Sequence, residues 1–306
     1  MSTPSISIQN LTVRYGKRTA VDAATLTVER GTVYALLGRN GAGKSSLVRC
    51  LLGQQKPNAG TISLLGEDAW KRRATLMQRI GVVSEEADAP PEMTVAALAD
   101  FSSRLYSRWD AAAVDDRLAR FRIAKTARFG DLSKGQKRQV TLALALASSP
   151  EVLVLDDPTL GLDVVARRSL FEEVIAELAD RGTTIFLTTH DLAGVETIAD
   201  RVGVLLDGKI VLDEELEPLK QRFRRIRFAA QPVALDASPL VATAVRSWGG
   251  GSEAIVSNYD ELAFERYRST SNVPSADVTS MSLEEIFVAV AGEFVAVAGE
   301  QEGARS

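Results

Sequence analysis

Gly38-Arg39-Asn40-Gly41-Ala42-Gly43-Lys44-Ser45 is the stretch on which the reading of this chain turns. Its glycines let backbone N–H groups approach and wrap a phosphate, because a residue without Cβ leaves the chain free to fold closely around an anion. The segment before it, Thr32 to Leu37, is a nearly continuous apolar run, as expected of a buried strand. The segment after it carries Leu47, Val48, Leu51 and Leu52 at helical spacing and stops at Gly53. Strand, glycine loop and helix in that order aim the positive helix end at the anion. In such a loop Gly38, Asn40, Gly41, Ala42 and Gly43 shape the backbone, and Lys44 reaches the β- and γ-phosphates. The Ser45 hydroxyl is then a ligand of Mg²⁺, and Ser46 follows in the first helical turn.

Outward from this loop the same pattern returns. Glu151 to Leu155 and Thr183 to Thr188 are short apolar strands joined by an amphipathic helix through Leu170, Phe171, Val174, Ile175 and Leu178, which makes a β-α-β unit. At the carboxyl end of the first strand, Asp156 is placed to hold Mg²⁺ and Asp157 to orient or deprotonate an attacking water. His190, the single histidine, follows the second strand, within reach of a γ-phosphate. Ile6 to Val13 and Val21 to Val28 alternate as strands, and Asp207-Gly208 marks a hairpin between Val202 to Leu206 and Lys209 to Leu212. Met93 to Phe129 is rich in Ala, Leu, Arg and Asp at helical spacing, and a further helix runs from Gly135 to Ser148 before Pro150.

A phosphate loop alone leaves GTPases, kinases and many ATPases open, and the remaining motifs decide. Leu132-Ser133-Lys134-Gly135-Gln136 resembles the signature of ABC-family ATPases and stands upstream of the Asp156 strand as that family requires. Gly161-Leu162-Asp163 is similar to the loop joining the family's two active sites, and Thr188-Thr189-His190-Asp191 to its switch-histidine segment. Tyr15 stands at the place of the adenine-stacking aromatic, and Glu85, after Ile80-Gly81-Val82-Val83, where most members have a glutamine that meets Mg²⁺. The resemblance covers about Ile6 to Leu216. It implies two subunits head to tail, each ATP lying between the Lys44 loop of one and Ser133, Gly135 and Gln136 of the other. It also implies a separate transmembrane permease subunit as partner, met through the helical insertion, and a cytoplasmic position on the inner face of the cell membrane. The second ATP-binding subunit is an identical chain or a near relative. Leu105-Tyr106-Ser107-Arg108-Trp109-Asp110 and the lysine-containing signature look like bacterial exporter subunits of the ABC-2 type. A soluble ABC ATPase and a non-hydrolysing, ATP-gated regulator are the alternatives.

The chain departs from the family pattern at four places. Asp157 replaces the usual catalytic glutamate and is one methylene shorter, which predicts slow hydrolysis, since a misplacement of about 1 Å can cost on the order of 100-fold in rate. Lys134 replaces a signature glycine, Glu85 a glutamine, and Val164 a proline.

Composition agrees with a folded cassette and excludes several classes. The 306 residues are 45% hydrophobic and 25% charged, ordinary values for a globular protein, and the length favours one large domain with an appendage. A net charge of −4 argues against a nucleic-acid partner. The single cysteine, Cys50, excludes an intramolecular disulfide and fits a reducing compartment. Met1 to Gln9 has no basic region followed by an apolar core, so no secretory signal is expected, and Phe287 to Gly299 is broken by Glu293. The fold expected is an α/β P-loop NTPase core with an antiparallel β subdomain and an inserted helical subdomain, followed by a small α+β region. The domains are 1–219, with the helical insertion at about 86–134, and 220–306. The cluster Lys220, Arg222, Arg224, Arg225 and Arg227 suits lipid headgroups, a partner or a solvated linker and strand face alike. FVAVAGE at Phe287 to Glu293 is repeated at Phe294 to Glu300, which reads as a slippage duplication.

Overall fold

The structure is a computed structural model that describes residues 3–85, 89–162, 164–229, 240–248, 251–270 and 276–292. Two compact units divide the chain, Met1–Asp213 and Glu214–Ser306.

In the first unit β1 (Ile6–Tyr15), β2 (Arg18–Val28) and β3 (Val33–Leu37) precede α1 (Lys44–Leu51). β4 (Ala59–Leu64), β5 (Glu67–Asp68), α2 (Arg73–Leu76) and β6 (Ile80–Val83) follow. Next come the helices α3 (Val95–Ser103), α4 (Ala111–Arg120) and α5 (Lys134–Ala147). β7 (Val152–Asp156), α6 (Val164–Arg181), β8 (Thr184–Thr189), α7 (Leu192–Val195), β9 (Arg201–Leu206) and β10 (Lys209–Glu215) close the series.

An antiparallel sheet of order β2-β1-β4-β5 faces a six-stranded sheet of order β10-β9-β3-β8-β7-β6, in which β9, β3, β8, β7 and β6 pair in parallel. Every residue of β3 and β8 is buried, as for central parallel strands covered on both faces. One cluster joins the two sheets through α1: Leu47, Val48 and Leu51 pack with Ile6, Ile8 and Leu26 on one side and Tyr34, Leu36 and Phe186 on the other. The helix behind the glycine loop is therefore clamped from both sides, which holds the loop still. β9 and β10 are joined at Asp207-Gly208 with φ of 46° and 82°, the handedness that a two-residue hairpin requires.

The expected helical insertion is present, with a difference in where its core ends. Val95, Leu98, Val114, Leu118 and Phe129 bury against Val140 and Ala147 of α5, so the apolar cluster runs to Ala147 rather than stopping near 134. Arg117 and Arg120 of α4 both meet Glu173 of α6, at 3.3 and 2.6 Å, and tie the insertion to the core.

The second unit starts six positions earlier than the boundary read from sequence, at Glu214. The reason is local: α8 (Leu216–Arg222) is held by its own unit, with Arg222 on Glu214 at 2.6 Å and the Arg222 carbonyl accepting from Tyr259 N at 2.8 Å. β11 (Arg224–Phe228), β12 (Ala242–Trp248), β13 (Gly251–Val256), α9 (Glu261–Thr270) and β14 (Ala276–Ser280) follow, the sheet order being β12-β13-β11-β14. Ile226, Phe228, Ala254 and Val256 bury against Phe264 and Tyr267 of α9. Residues 283–292 are helical, entered through a capping box in which Ser282 N donates to Glu285 Oε2 at 2.8 Å and Glu285 N to Ser282 Oγ at 3.3 Å. The basic cluster is largely neutralised within this unit. Arg225 meets Glu253 and Glu285, Arg227 meets Glu253, and Arg224 binds the Lys220 and Phe223 carbonyls. Gly249-Gly250 and the second FVAVAGE copy lie outside the described residues.

Candidate nucleotide site

Local sterics build the phosphate loop from its glycines. Gly43 has φ +111°, and a Cβ there would stand 2.2 Å from Ala20 O; at Gly38 it would stand 2.6 Å from Leu205 O. Only glycine fits either position, and the loop is pressed against neighbouring backbone as a result. Gly43 caps α1 with no side-chain hydrogen bond, and no acidic residue occupies the first turn. No carboxylate of the helix itself competes with an anion for its leading amides.

Around the loop lies a cleft of about 600 Å³ whose walls bring together Tyr15, Asn40, Gly41, Gly43, Lys44, Ser45, Ser46, Glu85 and Asp157. Gly38 and Ala42 act behind that wall. The Gly38 carbonyl accepts from Lys44 Nζ at 2.7 Å, and Ala42 is buried, its N donating to Arg39 O at 3.2 Å. Lys44 is only 7% exposed. Burial lowers its ammonium pKa, against the opposing pull of Asp157, Asp156 and Glu85. Tyr15 is 44% exposed and its hydroxyl donates to Gln55 Oε1 at 2.6 Å, so the side chain is tethered at its tip while much of the residue stays accessible.

Asp156 ends β7 and accepts from Thr188 Oγ1 of β8 at 2.5 Å. Its neighbour Asp157 turns the chain with φ +48°, a conformation that aspartate tolerates better than most side chains. The turn buries the residue to 6% exposure and delivers its carboxylate to His190, whose Nδ1 lies 2.9 and 3.0 Å from the two oxygens. With Nδ1 committed to the carboxylate, Nε2 is the ring nitrogen left for a substrate. The donor set Ser45, Asp156 and Glu85 is all oxygen, which fits Mg²⁺, and among the described residues no group of three or more acidic, histidine or cysteine side chains converges to hold a metal unaided. A cation here would share its shell with phosphate and water.

Ser133, Gly135 and Gln136 are not in this cleft. They line a second cavity of about 890 Å³ with Lys134, Gly161 and Leu162. Ser133 caps α5 by a reciprocal box, accepting from Gln136 N at 3.2 Å while Ser133 N donates to Gln136 Oε1 at 3.0 Å. Asp163 lies outside the described residues.

Sequence reasoning missed three members of the site. Arg18 and Arg39 line the cleft, and Arg18 Nη2 donates to Gly41 O at 3.3 Å. Arg138, 5% exposed on α5, donates to Asp157 O at 2.7 Å and to Glu85 O at 2.5 Å, fixing both carboxylate-bearing turns from one guanidinium. In sequence it stands in the polar stretch Gln136-Lys137-Arg138-Gln139, which gives no sign that this charge is the buried one.

Comparison with known proteins agrees with this geometry. The family profile described as ABC transporter matches residues 21–160. The Nod factor export ATP-binding protein I of Burkholderia orbicola (strain AU 1054) is 40% identical over 218 residues, 70% of this chain and 71% of that protein. The chain belongs to the ABC transporter ATPases. The bacitracin transport ATP-binding protein BcrA of Bacillus licheniformis is a further relative of this ABC ATPase, 32% identical over 222 residues and 72% of each chain. A solved ATP-binding subunit of an ABC transporter superposes with TM-score 0.65 at 27% identity, covering 72% of this chain and 92% of that one. This ABC ATPase binds ATP, and hydrolysis coupled to transport is the activity of its family. Among its described residues no helix is long and apolar enough to cross a membrane.

Proposed function

We propose that this ABC ATPase powers export through a separate transmembrane permease subunit, seated on the inner face of the cell membrane as one of two ATP-binding subunits. The observation that carries the reading is the division of the site: Lys44 and Ser45 line one cavity, Ser133 and Gly135 another. Each cavity holds half of a nucleotide sandwich, so a second subunit, identical or closely similar, completes both. Export is supported by relatives named for Nod factor export and daunorubicin resistance.

Within the site, Lys44 and the α1 amides hold the triphosphate, Tyr15 stacks on adenine, and Ser133, Gly135, Gln136 and Asp163 of the other subunit close over the γ-phosphate. Asp157 holds the His190 ring and orients the attacking water, and His190 Nε2 donates to the γ-phosphate. Ser45, Asp156 and Glu85 would hold Mg²⁺, which would supply charge neutralisation to the triphosphate. Closure of two subunits on ATP and their release after hydrolysis give the stroke that the permease converts into transport.

The full chain, tagged and purified from detergent-solubilised membranes, should carry with it a polytopic membrane protein. Recovery of the chain alone in the soluble fraction, with undiminished ATPase, would favour a soluble ABC ATPase or an ATP-gated regulator instead. The short Asp157 side chain also supports slow hydrolysis. Asp157→Glu should raise steady-state ATPase on the order of tenfold by moving the carboxylate outward. An unchanged or lower rate sinks that part of the reading.

A further inference from the structure

His190 is flanked by two aspartates, and only one of them lines the candidate cleft. That one is Asp157, which meets Nδ1 of the ring. On the other side the next residue, Asp191, turns away: its carboxylate makes no cap on α7, although it occupies the N-cap position, and instead lies 3.0 Å from Arg167 Nη1 on α6. The carboxylate is shielded, the Asp191 side chain being 12% exposed against 37% for Arg167, and the atoms Arg167 Nε and Asp191 Oδ2 are buried without a hydrogen bond. Among the described residues neither has another charged partner. A local cap has been given up for a long-range charge contact, and the contact holds because a shielded carboxylate without a cation is strongly disfavoured.

Two further contacts stiffen this link. Asp191 N donates to Thr189 Oγ1 at 2.9 Å, which tightens the turn around His190. A Cβ added at Gly194 would stand 2.2 Å from Phe171 Cε2, so α7 lies hard against α6. Arg167 sits in the first turn of α6, the helix that emerges from the Gly161-Leu162-Asp163 loop.

We propose that Arg167 is a positioning residue for hydrolysis: through Asp191 it ties the His190 turn to the start of α6, so the ring meets Asp157 and the γ-phosphate only while that helix is in place. The inference rests on the reading of His190 and Asp157 as the hydrolytic pair. Loss of the Arg167 charge leaves Asp191 shielded and unmatched, and the turn relaxes toward water. His190 then shifts while the Lys44 loop, built on β3 and α1, does not move.

The test is steady-state ATPase and MgATP binding of the full chain for wild type, Arg167→Gln, Arg167→Gln with Asp191→Asn, and His190→Ala. Arg167→Gln is expected to lower kcat about 10- to 100-fold, with KM and MgATP affinity within about twofold of wild type. The double variant, in which no charge is stranded, should regain part of that kcat. If Arg167→Gln keeps wild-type kcat while His190→Ala is inactive, the positioning role is overturned and the hydrolytic reading stands. If His190→Ala itself turns over normally, it is the hydrolytic reading that falls. A fall in affinity equal to the fall in kcat also overturns the proposal, since a merely structural loss would reach the Lys44 loop too. Should Arg167→Gln lose its cooperative thermal transition, Arg167→Lys decides: a reduced kcat at constant KM supports the tie, and an unchanged kcat removes it.

Discussion

Lys44→Ala is expected to weaken MgATP binding by about 100-fold or more and to abolish measurable hydrolysis, while the fold remains. Lys44 is the cation that Asp157, Asp156 and Glu85 all face in a nearly closed setting. Its removal takes away charge-assisted bonds to the β- and γ-phosphates, worth about 3 kcal/mol at the level of two orders of magnitude in affinity. It also leaves three carboxylates fronting a triphosphate. The loop itself is spared, because its shape comes from Gly38 and Gly43 pressed against Leu205 O and Ala20 O rather than from the lysine. Equilibrium binding of a fluorescent ATP analogue with Mg²⁺ measures the first effect, and a thermal melt confirms the second. Binding that is indifferent to Lys44→Ala would overturn the site assignment as a whole.

His190→Ala should act on the other half of the kinetics, with kcat falling by about 10²- to 10⁴-fold and MgATP affinity nearly unchanged. The ring contacts Asp157 through Nδ1, and among the described residues no hydrogen bond joins it to the phosphate loop. Asp157→Asn should fall within the same range, because an amide presenting N–H toward Nδ1 favours the wrong ring tautomer. Single-turnover measurements separate these effects from product release. A variant that loses affinity rather than turnover would place His190 in binding instead.

Central strands and their loops were legible early because their physics is local. Val33–Leu37 is buried throughout and reads as an unbroken apolar run, and Thr184–Thr189, equally buried, carries Ile185, Phe186 and Leu187 at its centre. The loop from Gly38 to Ser45 was legible because its backbone needs glycine at given spacings. β4 and β5 were not read, since Leu65-Gly66, with φ of 54° and 82°, makes the same kind of turn as Asp207-Gly208 without its side-chain signal. The extent of the helical insertion is likewise a matter of packing. Val140 and Ala147 mark α5 as helical in either case, and only their packing on Val95 and Leu118 shows to which cluster the helix belongs.

Within the site the division follows the same line. Lys44, Ser45, Asp156, Asp157 and His190 are candidates that residue type and order along the chain suffice to name, from the chemistry that a phosphate, a cation and a water would require at the ends of parallel strands. Arg138 on Asp157 O and Glu85 O, Arg167 on Asp191, and the separation of Ser133 from Lys44 depend on which surfaces meet. Those contacts join residues far apart in sequence, where charge and periodicity carry no record of the partner. Folding alone chooses among the carboxylates and carbonyls open to each guanidinium, because the choice is made by burial of the helices that carry them.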